Sequence, residues 1–223
     1  ASTQAILSRR RKHMESDHLR RYTDLPAVLQ ILSTCQITLL PPITWDDRND
    51  RNLMAAYQQR KGLKTLLALC FAQAPETYHH WKVFTSASSG MCIVFKRPDL
   101  ITALTGSGVE YGSVEYLTIA QLRGGDPQLD RIPYSKRAAY RDEREFRLLY
   151  SSKDEVLQFK TVPVPFHAID RVLINPWLPA TLADTLKATL RRIPKCQDLP
   201  VLQSTVIDGP AWKALAGRVI QEQ

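Results

Sequence analysis

Tyr140-Arg-Asp-Glu-Arg-Glu-Phe-Arg147, running on into Leu148-Leu-Tyr150, has two readings, and the choice between them sets the fold. As a strand over 143–150, side chains alternate, so Glu143, Glu145 and Arg147 share one face and Arg144, Phe146 and Leu148 the other. Two carboxylates then point together beside a cation. As a helix, the same letters put Glu143 and Arg147 at i,i+4, an ordinary exposed ion pair on a segment rich in helix formers. Spacing does not separate the two, although the alternation of Phe146, Leu148 and Tyr150 with polar positions is that of a half-buried strand.

The segments on either side are more decided. Leu19–Tyr22 reads as a short strand, followed by Thr23 or Asp24 as a helix cap, Pro26 in the first turn, and an amphipathic helix over Leu25–Gln36. Ile37–Leu40 is a β-rich run stopped by Pro41 and Pro42, and 44–51 is a polar loop before a short helix, Asn52–Lys61, that Gly62 ends. Leu66–Phe71 and Met91–Phe95 are brief apolar runs and read as buried strands. Between them lie an aromatic-rich segment, Tyr78–Phe84, and a small-residue turn, 86–90. Farther on come a short helix over 98–104, one or two strands over 109–117, a loop over 123–133, strands around Val162–Val164 and Arg171–Ile174, a helix over 181–192 with Leu182, Leu186 and Leu190 on one face, and a last helix over 210–220. No internal repeat or low-complexity block breaks the chain. The expectation is an α+β fold with strands in the majority: a single domain over 18–223 with a mixed or antiparallel split β-sheet flanked by short helices, preceded by a basic arm over 1–17, with Met14 as an alternative start.

A chain of 223 residues with 44% hydrophobic and 23% charged residues has the composition of a globular protein able to bury a core. No apolar run is long enough to span a bilayer, so no membrane segment is expected. The formal charge of +8 favours an anionic partner, nucleic acid or a phosphorylated cofactor. Basic residues cluster at Arg9–Lys12 and, interleaved with acids, over Lys136–Arg147. The four cysteines, Cys35, Cys70, Cys92 and Cys196, lie far apart and mostly within apolar segments, which suits buried thiols in a reducing, cytoplasmic setting.

Spacing removes several chemistries. GxxxxGK[ST] is absent, and Gly106, Gly108 and Gly112 do not form a GxGxxG turn between a strand and a helix. There is no HExxH, no cysteine quartet and no GxSxG elbow. Two constellations remain. One is Trp45-Asp-Asp-Arg-Asn-Asp50, readable as a capped turn or as a magnesium or substrate-positioning loop. The other is the Glu143/Glu145 pair: like charges so close push one pKa up unless a cation such as Arg147 intervenes.

Taken in order, LRRYTDL with Arg21 and Tyr22, TWDDRND with Asp46, Asp47 and Asp50, HHWKVF…SGMCIVF with Trp81 and Gly90, and SKRAAYRDEREFR with Lys136, Tyr140, Glu143, Glu145 and Arg147 resemble the motifs of a bacterial family of unknown function, domain of unknown function 2971. HAIDRVLINPWLPATLADTL is similar to that family's closing strand and helix, so the resemblance spans roughly residues 19–192. Departures are Asp46 for the usual Asn, Tyr140 for Trp, Asp142 for Tyr, and WKVF from Trp81 in place of the usual WxxY.

The same order, a basic-aromatic strand, an aromatic-lined middle and an ExE strand, also resembles ADP-ribosyltransferases, which cradle NAD in a split β-sheet. That resemblance implies NAD as cofactor and a nucleic-acid or protein acceptor, in a bacterial defence or toxin setting. Glu145 would stabilise the oxocarbenium-like state, Glu143 would orient or deprotonate the acceptor, and Arg21 would pair with a pyrophosphate or ribose oxygen. Tyr78 or Trp81 would stack on nicotinamide, with Tyr22 and Arg147 as further cofactor contacts. Two alternatives stand beside it: a magnesium-dependent nuclease built from the acidic loop with Glu143 and Glu145, and a non-enzymatic basic nucleic-acid-binding module.

Overall fold

The computed structural model describes residues 16–85, 89–124 and 128–221. The basic run Arg9–Lys12, residues 1–15 of the expected arm, and most of the 86–90 turn lie outside the described residues.

Strand β1 (His18–Asp24) ends on the residue that caps the first helix. Asp24 is extended and its carboxylate accepts a hydrogen bond from Ala27 N, with proline in the first turn of α1 (Leu25–Thr34). The helix stops short of Gln36 because Cys35 turns into the left-handed region, φ 52°, returning its N–H to Ile31 O, and Gln36 opens β2 (Gln36–Leu39). The 44–51 segment is only partly loop. A 3₁₀ turn (Pro42–Thr44) precedes α2 (Arg48–Lys61), which begins at Arg48 rather than Asn52 because the Asp47 carboxylate caps it, accepting a hydrogen bond from Asn49 N. Gly62, at φ 64°, ends that helix as expected.

Both apolar runs are strands: β3 (Thr65–Ala72) and β4 (Gly90–Lys96). The aromatic segment between them is a helix, α3 (Tyr78–Phe84), nucleated by Thr77, whose hydroxyl oxygen accepts from His80 N. Next come α4 (Arg97–Ala103), β5 (Glu110–Ser113), β6 (Glu115–Leu117) and α5 (Ile119–Gly124). The expected loop over 123–133 starts at the end of α5 and finishes in a 3₁₀ turn (Leu129–Tyr134) leading into β7 (Ser135–Arg137). A further 3₁₀ turn (Ala138–Glu143) feeds β8 (Glu145–Ser152), and β9 (Lys160–Pro163), β10 (Ile169–Ile174), α6 (Ala180–Arg191), β11 (Val201–Gln203) and α7 (Pro210–Gln221) complete the chain. Helix α6 buries Ala183 and Leu190, whereas Leu182 is 55% exposed, so the apolar face is not the Leu182–Leu186–Leu190 stripe the spacing suggested.

The described residues form two compact units: residues 16–19, 38–74, 96–124 and 128–162, and residues 20–37, 75–85, 89–95 and 163–221. In the first, the strand order is β3-β8-β5. Central β8 pairs antiparallel with β3, from Thr65↔Ser152 to Ala72↔Glu145, and with β5, from Glu110↔Leu149 to Ser113↔Phe146. Enclosed on both edges, β8 is buried from Glu145 through Leu149 rather than half-buried in alternation. Met54, Tyr57, Leu66, Ala68, Tyr134 and Leu149 form one apolar cluster there. In the second unit the order is β11-β10-β4-β1, with β10 antiparallel to β4 and parallel to β11. The mixed α+β class is the expected one. The balance is not: among the described residues 43% are helical and 29% are in strands, since two segments read as loops contain helical turns.

Candidate functional site

The two readings of YRDEREFR are each half right. Residues 138–143 are helical, Arg144 reverses the chain at φ 43°, and only from Glu145 is the backbone extended. Glu143 therefore does not share a strand face with Glu145. It is brought to it by a third residue, Lys136 on β7, whose ammonium donates to Glu143 Oε2 at 2.6 Å and to Glu145 Oε2 at 3.4 Å. The Glu145 amide is anchored too, donating to the Tyr116 hydroxyl at 2.8 Å.

Glu145 and Arg147 do alternate onto one face of β8, and Arg147 Nε donates to Glu145 Oε1 at 2.7 Å. The fork of the guanidinium takes Asp50: Nη2 to Oδ2 at 2.8 Å and Nη1 to Oδ1 at 3.3 Å. Nη1 also donates to Pro133 O at 2.7 Å, and the Trp45 ring lies 4.6 Å from the guanidinium carbon. Arg147 is wholly buried, and its side chain is committed to residues of its own unit. It holds Glu145 and Asp50 in place rather than reaching outward to a cofactor. Of the acidic loop, Asp50 alone enters the network, from the first turn of α2, while Asp47 caps that helix and Asp46 is exposed.

Burial alone would raise the Glu145 carboxyl, but Arg147, its hydrogen bond, Lys136 and the Cys70 thiol outweigh burial and hold it down at about 2. Glu143 goes the other way: burial raises it, and Lys136 offsets this only in part. Asp50 is likewise raised by burial despite Arg147. The Lys136 ammonium is disfavoured by burial, yet Glu145, Glu143 and Asp50 around it hold its pKa above the ordinary lysine value. The result is one carboxylate locked ionised beside one able to take up a proton. A recess of about 60 Å³ whose lining includes Asp50, Lys136, Asn49, Arg137, Leu117 and Leu122 adjoins the network on the Lys136 side.

Asp50 lies 3.9 Å from Lys136 Nζ, so carboxylates from the loop and from the 143–145 segment do converge, as a magnesium site would require. They converge on an ammonium group. Among the described residues no group of three or more His, Cys, Asp or Glu is arranged to hold a metal ion.

The aromatic candidates lie in the second unit. Trp81 is 1% exposed, its indole N–H donating to Glu76 Oε1 at 2.7 Å, and Tyr22, 5% exposed, packs edge-on against it and stacks on His80 with centroids 5.4 Å apart. Both are core aromatics with no ring face open for nicotinamide. Arg21 is half-buried on β1. Tyr78 is 53% exposed and offers a ring at the surface. The residues that sequence reasoning passed over are Cys70 and Tyr116, neither of which carries a local signal; Lys136 was marked only by its place in the basic run and in the family-like motif.

No family model matches the sequence, and no curated protein matches it. Among solved structures, Thermus sp. 2.9 DarT in complex with NAD+ is similar at TM-score 0.44 and 10% identity, covering 85% of this chain and 96% of that one. Thermus sp. 2.9 DarT in complex with ADP-ribosylated ssDNA gives TM-score 0.43 and 10% identity, with 84% and 94% covered. The carba-NAD+ complex of the same protein gives TM-score 0.42. Likeness at this level carries no conclusion about this chain's chemistry.

Proposed function

We propose that the chain is an ADP-ribosyltransferase-like enzyme that takes NAD as substrate and a nucleic acid as acceptor, with Glu145 and Glu143 as its acting carboxylates. The observation that supports this is the opposed electrostatics of the pair: two acids sharing one ammonium, one held ionised at about 2 and the other raised. Breaking the nicotinamide–ribose bond sends the bonding pair out with nicotinamide and leaves positive charge on the ribose. A carboxylate that stays ionised stabilises that charge. The acceptor then bonds to the ribose carbon, and its proton passes to the group whose affinity for protons is raised, Glu143. Arg147 is a positioning residue, fixing the Glu145 carboxylate while Asp50 fixes Arg147.

The test is direct. Full-length protein is incubated with NAD and a single-stranded oligonucleotide, chosen because one DarT complex contains ADP-ribosylated ssDNA, and nicotinamide release and oligonucleotide mass are followed. Glu145→Gln should abolish release while the circular dichroism spectrum is kept. Calorimetry showing no NAD binding to the wild type overturns the reading. One observation favours a second reading, a non-enzymatic binding module: the Glu145 side chain is only 7% exposed. In that case Glu145→Gln alters thermal stability and nothing else.

A further inference from the structure

In the second unit, Tyr78 and Lys82 stand at i,i+4 on α3 and so share one helix face. Against them lies Trp177, in the short loop between β10 and α6. Its ring meets the Tyr78 ring edge-on, centroids 5.4 Å apart and planes at 79°, and Lys82 Nζ sits 4.0 Å from the Trp177 centroid and 5.7 Å from that of Tyr78. Tyr78 is 53% exposed and Trp177 is partly buried.

The loop carrying Trp177 is tied down. Asn175, fully buried, accepts from Trp177 N through Oδ1 at 2.8 Å. Gln203 Nε2 donates to Leu178 O at 2.7 Å and to Asn175 O at 3.3 Å, clasping both ends. The parallel pairing Ile174↔Gln203 places Gln203 beside the loop. Pro176 and Pro179 stiffen it further. Tyr78 is fixed as well, by the Thr77 cap at the start of α3. Two surface aromatics with a cation between them are thus held on rigid backbone, the arrangement that keeps a recognition surface in register.

The chemistry selects the ligand. A pair of rings alone would suit a quaternary ammonium group, but Lys82 already occupies that position and repels a second cation. What fits is a molecule presenting flat π-faces to the rings and negative charge to the ammonium. The near-perpendicular ring planes then select between forms of nucleic acid. A duplex keeps successive bases parallel, whereas a single strand can turn one base against the next. We infer that Tyr78, Lys82 and Trp177 form a stacking platform for single-stranded nucleic acid. Tyr78, which the sequence assigned to nicotinamide, takes a base instead. The inference deepens the acceptor half of the transferase reading and rests on that reading for its biological use, but binding in the absence of NAD tests it separately.

The experiment is fluorescence anisotropy of a short labelled single-stranded DNA with the full chain, at low salt and without NAD, repeated with the same sequence as RNA and as a DNA duplex. Tyr78→Ala and Trp177→Leu should each weaken single-strand binding about tenfold, with Trp177→Phe restoring most of the loss. Lys82→Met should reduce the slope of log affinity against log salt by about 0.7. RNA should behave like DNA, since ring stacking does not read the 2′-hydroxyl, and duplex binding should not respond to the aromatic changes. Melting curves establish that each variant is folded, and Tyr78→Ala, at an exposed position, stands as the reference if Trp177→Leu is not. Wild-type affinity in folded Tyr78→Ala, no single-strand binding by the wild type, or equal sensitivity of the duplex overturns the inference. Any of these with nicotinamide release intact removes the platform and leaves the transferase reading standing; stacking retained with no NAD turnover does the reverse.

Discussion

Arg147 carries a full charge with no contact with solvent, and what tolerates it is the number of its partners. Bidentate Asp50, Glu145 and the Pro133 carbonyl engage its donors, and Trp45 covers its face. A lysine cannot reproduce that fork, so Arg147→Lys should destabilise the protein by about 3 kcal/mol, measured by urea unfolding, although the charge is unchanged. Glu145 gives a pH dependence. Its folded-state pKa of about 2 lies below its ordinary value of 4.5, so folding favours the ionised form. The stability it contributes is present above about pH 4.5 and is lost as pH falls toward 2, an effect of order 3 kcal/mol. Asp50 and Glu143, both raised, have the opposite slope, losing stability as pH rises through their shifted range. Thermal melts of Glu145→Gln should therefore show a shallower loss of stability between pH 4.5 and 2 than the wild type.

At the scale of elements, the junction at Arg144 matters most. A 3₁₀ turn on one side and a strand on the other let Glu143 and Glu145 approach the same ammonium from different backbone directions, which neither a continuous helix nor a continuous strand would do. Elsewhere the ends of elements follow local rules. Removing the α1 cap with Asp24→Ala should cost about 1 kcal/mol in chemical denaturation. Gly90 opens β4 where the Thr85 side chain, itself bonded to Trp81 O, fills the space a Cβ would need. Gly90→Ala should consequently lower stability by about 2 kcal/mol through overpacking, measured by chemical denaturation. The extra helices have a simple origin: Tyr78–Phe84 and Leu129–Tyr134 have no long apolar period, so the first rests on its Thr77 cap and the second, which has no side-chain cap, on packing of Leu129, Ile132 and Tyr134, rather than on a readable pattern.

For the molecule as a whole, composition anticipated the chemical character. None of the four cysteines forms a disulfide; Cys92 and Cys196 are buried, Cys35 and Cys70 partly so. Burial pushes the Cys92 and Cys196 thiols up, so both should resist a thiol reagent under native conditions, with all four reacting after denaturation. What the sequence by itself determined is what depends on near neighbours: a helix start at Thr23 or Asp24, the Gly62 helix end, and the apolar strands β3 and β4. What only the tertiary structure decided is which acid meets which base and at what pKa. Asp50 and Arg147 are separated by 97 positions, and Lys136 reaches both glutamates only because β7 is laid against them. Capping and alternation act over a few residues and leave a pattern in the letters. Desolvation and Coulomb interactions depend on which groups folding buries together, and that is specified by the packing of the whole chain.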